Sequence, residues 1–244
     1  MTLRIVATAT LPADLPPTDR SRICPALGGL AESLGELSHS HAGLHLEGSV
    51  GGGDLTWDFA VPDDAALDAL SKKLEAKGWT GLFGAAKSAD REALAALEQI
   101  EAWVVEPVES NVPRPELVAI KRTNLVRVLP SAAPEAVARW MKEVPILADC
   151  VPAIRNWSVA RVRAIGPTKP RVRWTHAWEQ EFETLEGLLQ DYMASPFHWG
   201  HLDGWYDVEM PFCIMDPELA HLYCPATQNV LSWTGPGTRR AGGR

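Results

Sequence analysis

The sequence is poor in cysteine and contains no long apolar run. Four cysteines, Cys24, Cys150, Cys213 and Cys224, stand in 244 residues, and none forms a Cys-x-x-Cys pair. The apolar stretches fall far short of the ~18 residues that a membrane helix needs. Residues 1–10 lack the basic segment and apolar core of a secretory signal. We therefore expect reduced thiols in a cytoplasmic protein that makes no membrane contact.

Basic residues are also fewer than acidic ones. The sequence has 23 Lys and Arg and 31 Asp and Glu, which gives a net charge of -8. Since phosphate neutralisation requires a basic face, nucleic acid is not an expected partner. Gly-x-Gly-x-x-Gly, a phosphate-binding Gly-Lys-Ser/Thr and a Gly-x-Ser-x-Gly elbow are all absent from the sequence. Nucleotide cofactors and serine hydrolysis are therefore poorly supported.

Histidine spacing gives only a weak metal signal. His39, His41 and His45 alternate in a segment rich in Ser and Gly, and a second polar group around His198 has no recognised ligand spacing. We expect neither a metal nor another cofactor.

Tryptophan is abundant, with ten residues against three tyrosines and five phenylalanines. Its large flat face suits an aromatic-lined pocket. Ordinary core packing is the alternative, and for any single tryptophan it is the favoured one.

The element order occurs twice along the chain. Alternating and helical spacings predict strand, helix, two strands, helices and strand at 3–11, 23–37, 43–50, 54–61, 63–78, 89–99 and 100–108. The second half gives 116–129, 134–148, 157–165, 171–182, 185–193 and a last strand beginning at 212–215. The sequence thus predicts an α+β protein in which two ferredoxin-like βαββαβ units are fused into a dimeric-type α/β barrel. The expected units are 1–110 and 116–226, joined by a linker, with a flexible tail at 227–244.

The densest group of polar and aromatic side chains lies between Tyr192 and Tyr206. Ser195 followed by Pro196 is typical of a helix start, so the preceding helix should end and the chain should fold His198 back towards Tyr192. In the first turn of a helix, unpaired N–H groups disfavour an imidazolium, and a neutral histidine can act as a general base. Tyr192 could hold a substrate carbonyl, while a satisfied structural histidine remains the alternative. His201 and Trp205 follow His198 at helical spacing, so they should share its face.

His176 shares its predicted strand face with Trp174 and Trp178. This arrangement suits a pocket wall. A core histidine bonded to a carbonyl is equally compatible.

Several segments together resemble the stress-responsive A/B-barrel (dimeric α/β barrel) family. The similar segments span roughly 117–216: 121–128, Val151-Pro-Ala-Ile154, Trp174-Thr-His176, Phe182-Glu-Thr-Leu-Glu and Gln190-Asp-Tyr192 through His198. The resemblance implies ferredoxin-like units that pair into a barrel. By analogy with a cofactor-free polyketide cyclase of the family, it also implies proton transfer by Tyr192 and His198, with His176 in the pocket.

One position departs from that pattern, since Arg122 stands where the cyclase has a second histidine. An arginine cannot act as a base at neutral pH, but it can bind a carboxylate or an enolate. The first half has Trp79 and Phe83 near the corresponding place and no histidine, so one working site is expected.

The first hypothesis is a cofactor-independent lyase or cyclase that acts next to the carbonyl of an apolar aromatic or polyketide-like substrate. His198 would move the proton, Tyr192 and Arg122 would steady the oxyanion, and tryptophans including Trp199 would line the cavity. A non-catalytic binding or stress-response protein of the same fold is the alternative. A monooxygenase, which would need haem or an activated substrate, is a third. The chain is expected to be a monomeric pseudo-dimer or a homodimer of fused chains.

Overall fold

Eight strands and the helices between them form a mixed α+β structure. It is a computed structural model that describes residues 2–167 and 169–234. The strands are β1 Leu3–Thr10, β2 His39–Leu44, β3 Leu55–Val61, β4 Glu98–Asn111, β5 Ile120–Val128, β6 Ile154–Ile165, β7 His176–Phe182 and β8 Met215–Pro225. The helices are α1 Pro17–Ser33, α2 Asp64–Phe83, α3 Ser88–Leu94, α4 Pro134–Glu143, α5 Ile146–Cys150 and the π-helical α6 Gly187–Tyr192 and α7 His198–Leu202.

All eight strands belong to one antiparallel sheet with the order β2-β3-β1-β4-β6-β7-β5-β8. The N-terminal half (residues 2–111) and the C-terminal half (residues 112–234) each contribute four strands in the order second, third, first, fourth. This order is the one expected of ferredoxin-like units. The long ladder between β4 and β6 joins the halves from Ala102↔Ile165 to Asn111↔Trp157.

The sheet curls until its two edges approach each other. Leu46 N, just after β2, donates to Tyr223 O of β8 at 3.0 Å, and Val50 and His221 exchange backbone hydrogen bonds of 2.9 Å each. The sheet therefore has an inner face and an outer face, and the helices cover the outer one.

Side-chain alternation along each strand fills these two faces separately. In β1, Ile5 and Ala7 point to the outer face and pack with α1 and α2, whereas Val6 points to the inner face. The outer face carries one apolar core in each half, and a smaller core around Trp103 and Trp174 fills the interior. Packing of their apolar faces against the sheet stabilises the helices more than capping does.

Four charged side chains lie at the centre of the inner face. Each half contributes one cation and one anion, and all four are fully or almost fully buried: Arg4, Asp58, Lys121 and Glu179. Arg4 binds both carboxylates, and Lys121 Nζ lies 2.9 Å from Asp58 Oδ2 and 3.0 Å from Glu179 Oε1. The two positive charges lower the pKa of Glu179 against the opposing effect of burial. We call these four residues the charge tetrad.

Several element boundaries differ from the sequence prediction. Gly78 does not end α2: it takes a φ of 64° and kinks the helix, which continues so that Trp79, Leu82 and Phe83 enter the core. Asp63 does cap the start of α2, accepting from Ala66 N at 2.9 Å. The predicted start of the strand at residue 171 moves to His176 in the structure.

The sequence predicts a flexible tail from residue 227, and in the structure residues 229–231 of this segment make defined contacts. Val230 and Leu231 are buried, and their backbone N–H groups donate to Glu181 Oε1 at 2.7 and 3.3 Å. Asn229 and Asn156 also donate to this carboxylate. Residues 229–231, which we call the C-terminal strap, therefore pack onto the inner side of β7. Residues 235–244 lie outside the described residues.

Across residues 2–167 and 169–234, no helix combines the length and the apolar character that crossing a bilayer requires.

Candidate functional site

The chain breaks between two helical segments at Ser195, as the sequence predicts. Ser195 N donates to Tyr192 O at 3.2 Å, and the Ser195 carbonyl accepts from His198 N at 3.0 Å. This reversal brings the rings of Tyr192 and His198 together, with centroids 4.4 Å apart. Both side chains are buried. The π-helical geometry of α6 and α7 on either side of the break widens the turns there, a feature that often marks functional positions.

Arg122 lies beneath this pair on the outer face of β5. Its guanidinium carbon is 4.8 Å from the centre of the Tyr192 ring, a cation–π distance. Its Nη1 donates to Gln180 Oε1, and β5 pairs with β7 so that Arg122 stands opposite Gln180. On the other side, Arg122 stands opposite Tyr223 of β8. The positive charge is thus held close to the phenol.

The outer face of the C-terminal half collects buried polar atoms that have no hydrogen-bond partner within the described residues. These are Asn124 Oδ1, His176 Nε2, Gln180 Nε2, His198 Nδ1 and Trp205 Nε1. Each such atom costs about 1–3 kcal/mol if it stays unpaired. A concentration of them on one face is therefore the place where a bound molecule gains most by supplying donors and acceptors.

The pKa shifts in this group favour uncharged side chains. Burial, reinforced by the charge of Arg122, lowers the pKa of His198, and Asp203 acts in the opposite direction. His198 Nε2 is 3.7 Å from Asp203 Oδ1, which is too long for a strong hydrogen bond. Burial raises the pKa of Tyr192, while Arg122 opposes that rise. At neutral pH the pair is consequently an imidazole with a free nitrogen beside a phenol.

The site also contains two side chains that the sequence pattern did not indicate, His221 and Tyr206. His221 stands opposite Asn124 across the β5–β8 ladder, and burial together with the charges of Arg122 and His198 lowers its pKa to about 3. Burial raises the pKa of Tyr206, whose hydroxyl is near the Asn124 side chain. The signal for His221 was a single histidine in the apolar C-terminal part of β8, and only the strand register makes it informative.

His176 and Trp178 point to the outer face, but Trp174 does not. Trp174 packs inside the curled sheet with Val172, because residues 171–175 precede β7 and Trp174 N bonds to Val172 O. The predicted shared face of His176 and Trp174 is therefore wrong. The edge of Trp140 meets the His176 ring at 5.6 Å. Burial, with the charge of Arg161, lowers the His176 pKa to about 4.

His201 belongs to a helix contact rather than to the His198–Tyr192 pair. Its Nε2 lies 2.8 Å from Glu143 Oε2 of α4, and Glu143 also accepts from Arg139 at 2.6 Å. Arg139 in turn covers the ring of Trp205, which is fully buried. Trp199 points outward and is 61% exposed, so it does not form a buried wall. The expected substrate contacts of His201 and Trp199 are thus not supported by their positions.

Among the described residues, no group of three or more His, Cys, Asp or Glu side chains is arranged to hold a metal ion. The alternating histidines have other contacts. His45 uses both ring nitrogens, at 2.9 Å from Gly53 O and 2.8 Å from Thr56 Oγ1, and His39 stacks on Trp233.

Comparison with known proteins identifies the fold. No family model matches the sequence, and no curated protein matches it. An anthrone oxidase-like protein aligns with 98% of this chain and 96% of its own, with a TM-score of 0.62 and 14% identity. A protein named "putative monooxygenase" from Lactobacillus acidophilus NCFM covers 91% and 92% with a TM-score of 0.51 and 10% identity. Another so named, from Fusobacterium nucleatum, covers 93% and 94% with a TM-score of 0.50 and 9% identity. Likeness at such identities shows a shared fold and not a shared reaction.

Proposed function

We propose that this chain is a cofactor-independent enzyme that forms an enolate from an apolar aromatic or polyketide-like carbonyl compound. The enolate is then used to make or break a carbon–carbon bond, as in a cyclase or lyase. One observation carries the proposal. The ring centroids of His198, which has a free nitrogen, and Tyr192 lie 4.4 Å apart, and the Arg122 guanidinium contacts the Tyr192 ring. Two ferredoxin-like units in one chain supply the barrel, and the C-terminal half supplies the reacting groups.

In the proposed reaction, His198 Nδ1 takes a proton from the carbon next to the carbonyl. The electron pair of the broken C–H bond moves into the enolate, whose oxygen gains negative charge. The Tyr192 hydroxyl and the Arg122 guanidinium stabilise that charge, because donors fixed in a dry site need no reorganisation. Asp203 stabilises the imidazolium until the proton returns to the product. The enolate carbon meanwhile attacks a second carbonyl, or the same step runs in reverse.

The low pKa of His198 matches this role. A base that is already neutral at pH 7 needs no prior loss of a proton. The apolar core around Trp178 and Trp205 excludes water, and its unpaired polar atoms can orient the few polar groups of such a substrate. Because burial raises the pKa of Tyr192, its phenol stays protonated at neutral pH and can donate to the oxyanion.

Oxidation by O2 is a second candidate for the fate of the same enolate. The similarity to an anthrone oxidase-like protein favours it, since anthrone is an aromatic ketone that forms an enolate. The balanced reaction converts an activated CH2 and O2 into C=O and water. Measuring O2 uptake during turnover separates this outcome from cyclase or lyase chemistry, which consumes no O2.

Proton exchange tests the shared first step whatever the fate of the enolate. Phenolic ketones and polyketide-like acids are incubated with the protein in D2O, and NMR follows deuterium entering beside the carbonyl. Wild type should catalyse exchange with at least one compound, whereas His198→Gln should be slower by a factor of roughly 10² or more. His39→Gln, which changes an exposed histidine remote from the pair, is the matched control. Equal exchange by wild type and His198→Gln would contradict the proposal and leave the binding-protein alternative.

A further inference from the structure

A cavity of about 450 Å³ lies in the N-terminal half, apart from the residues of the candidate site. Trp79 and Phe83 from the end of α2, Leu94 of α3 and Ile100 of β4 form its walls. Pro167, in the connection between β6 and β7, covers it from the C-terminal half. The volume falls within the ~300–1,000 Å³ of small-molecule pockets.

The cavity occupies the place that corresponds to the candidate site. In both halves the position lies on the outer face of the sheet, beside the helical segments that precede the last strand. In each half, the turn that follows the second strand also contacts the opposite half. The turn after β6 packs Gly166 near the Trp79 indole, and the turn after β2 reaches β8 through Val50 and His221. Each position is therefore partly covered by the opposite half.

The chemistry of the lining differs from that of the candidate site. Arg91 is the single titratable side chain in the lining, and it makes no ion pair within residues 2–167 and 169–234. An arginine cannot accept a proton at neutral pH, so this position is suited to binding and not to acid–base catalysis. Its guanidinium can instead hold a carboxylate in a bidentate hydrogen bond.

The remaining lining residues indicate the apolar part of the ligand. Trp79 and Phe83 lie with ring centroids 6.4 Å apart and give an aromatic wall, which is buried apart from its open side. Gln99 lies at the edge of the cavity with a φ of 44°, in the left-handed region that side-chain-bearing residues rarely adopt. Its backbone is thus held in a costly conformation, as is frequent beside ligands.

We propose that the N-terminal cavity is a second, non-catalytic binding site for an aromatic carboxylate about the size of two fused rings. The rings would lie against Trp79 and Phe83, and the carboxylate would face Arg91. This site does not depend on enolate chemistry in the other half.

The test uses 2-naphthoate as the probe and methyl 2-naphthoate as its neutral counterpart. Two-dimensional NMR resolves the indole N–H signals, and comparison with Trp79→Phe identifies that of Trp79. In wild type, 2-naphthoate should shift the Trp79 signal in a saturable way. Arg91→Gln should weaken binding of the carboxylate by roughly threefold to tenfold, the range for a partly exposed charged contact, and leave the ester unaffected.

Two further variants make the result decisive. Lys72→Gln removes a positive charge from the exposed face of α2 and should leave both affinities unchanged. Ala95→Phe places a ring in the cavity from an exposed position and should abolish the indole shift that the probe causes in wild type, so the test stands even if Trp79→Phe does not fold. Absence of a Trp79 shift at millimolar probe, shifts confined to indoles of the C-terminal half, or equal carboxylate binding by wild type and Arg91→Gln would each overturn the proposal. Activity of the His198 site plays no part in any of these measurements.

Discussion

Both halves of the sheet bury their outer face under helices, but they fill it with different chemistry. The N-terminal outer core around Trp57, Phe59 and Trp79 is apolar, and none of its members carries an unpaired buried polar atom within the described residues. The C-terminal outer face carries five such atoms together with Arg122, Tyr192 and His198. The same strand order thus supports an apolar cavity in one half and a buried histidine–tyrosine pair in the other. The difference lies in side chains and not in architecture.

The largest expected effect of this difference is on catalysis. Tyr192→Phe and His198→Gln should each lower kcat/KM by roughly 10²–10⁴, because they remove a donor and a base from the reacting centre. Trp79→Phe, the counterpart in the N-terminal half, should leave kcat/KM within about twofold. Steady-state kinetics on the substrate found by deuterium exchange make the comparison. Loss of turnover in Trp79→Phe with normal folding would remove the distinction between the halves.

The charge tetrad joins the two halves. Breaking it should cause the next largest effect, a loss in the free energy of unfolding. Glu179→Gln leaves the buried charge of Arg4 or Lys121 unbalanced, and we expect a loss of about 3–5 kcal/mol in the free energy of unfolding. Urea unfolding followed by circular dichroism measures it. Glu183→Gln, at an exposed position with a surface ion pair to Arg155, should change stability by less than ~1 kcal/mol. Similar small effects for both variants would show that the tetrad contributes nothing.

The buried histidines should make the C-terminal half sensitive to acid. The pKa of His176 is about 4 in the folded protein against 6.5 in the unfolded chain. The unfolded state therefore binds more protons between these two pH values. The contribution of neutral His176 to the free energy of unfolding is fully present above pH 6.5 and is lost as the pH falls towards 4. The loss should be on the order of 2–3 kcal/mol. His176→Gln should give a shallower decline in melting temperature from pH 7 to 4.5, and an unchanged slope would contradict the assignment.

Activity should follow pH in the same direction. Because burial places the pKa of His198 below its usual value, kcat/KM should rise with pH through that pKa and be level at pH 7. A rate that increases steadily from pH 7 to 9 would point to another base.

The smallest expected effect concerns the C-terminal strap. Asn229→Ala removes one of four donors to Glu181, and the carboxylate keeps the backbone groups of Val230 and Leu231. We expect a loss of about 1 kcal/mol, measured by urea unfolding. Gln228→Ala, a neighbouring change that affects only a bond to Ser40 O at the surface, should cost less.

Local signals predicted more of the site than composition did. The serine and proline at 195–196 predict a break, and this break explains why Tyr192 and His198 meet despite a spacing of six residues. The aromatic surplus was less informative, since tryptophans occupy the interior, the outer cores and the surface alike. The fate of Trp174, His201 and Trp199 depended on where β7 begins and on contacts with α4, which spacing along the chain does not contain.

The sequence by itself determined the order of strands and helices and the turn that reverses the chain at Ser195, because these depend on neighbours within a few residues. Only the tertiary structure decided that Asn124 and His221 face each other, or that Arg4 meets Glu179 across 175 positions of the chain. Those pairings arise from strand register and from closure of the curled sheet. Both depend on packing between residues far apart in the chain, which a local sequence pattern does not specify.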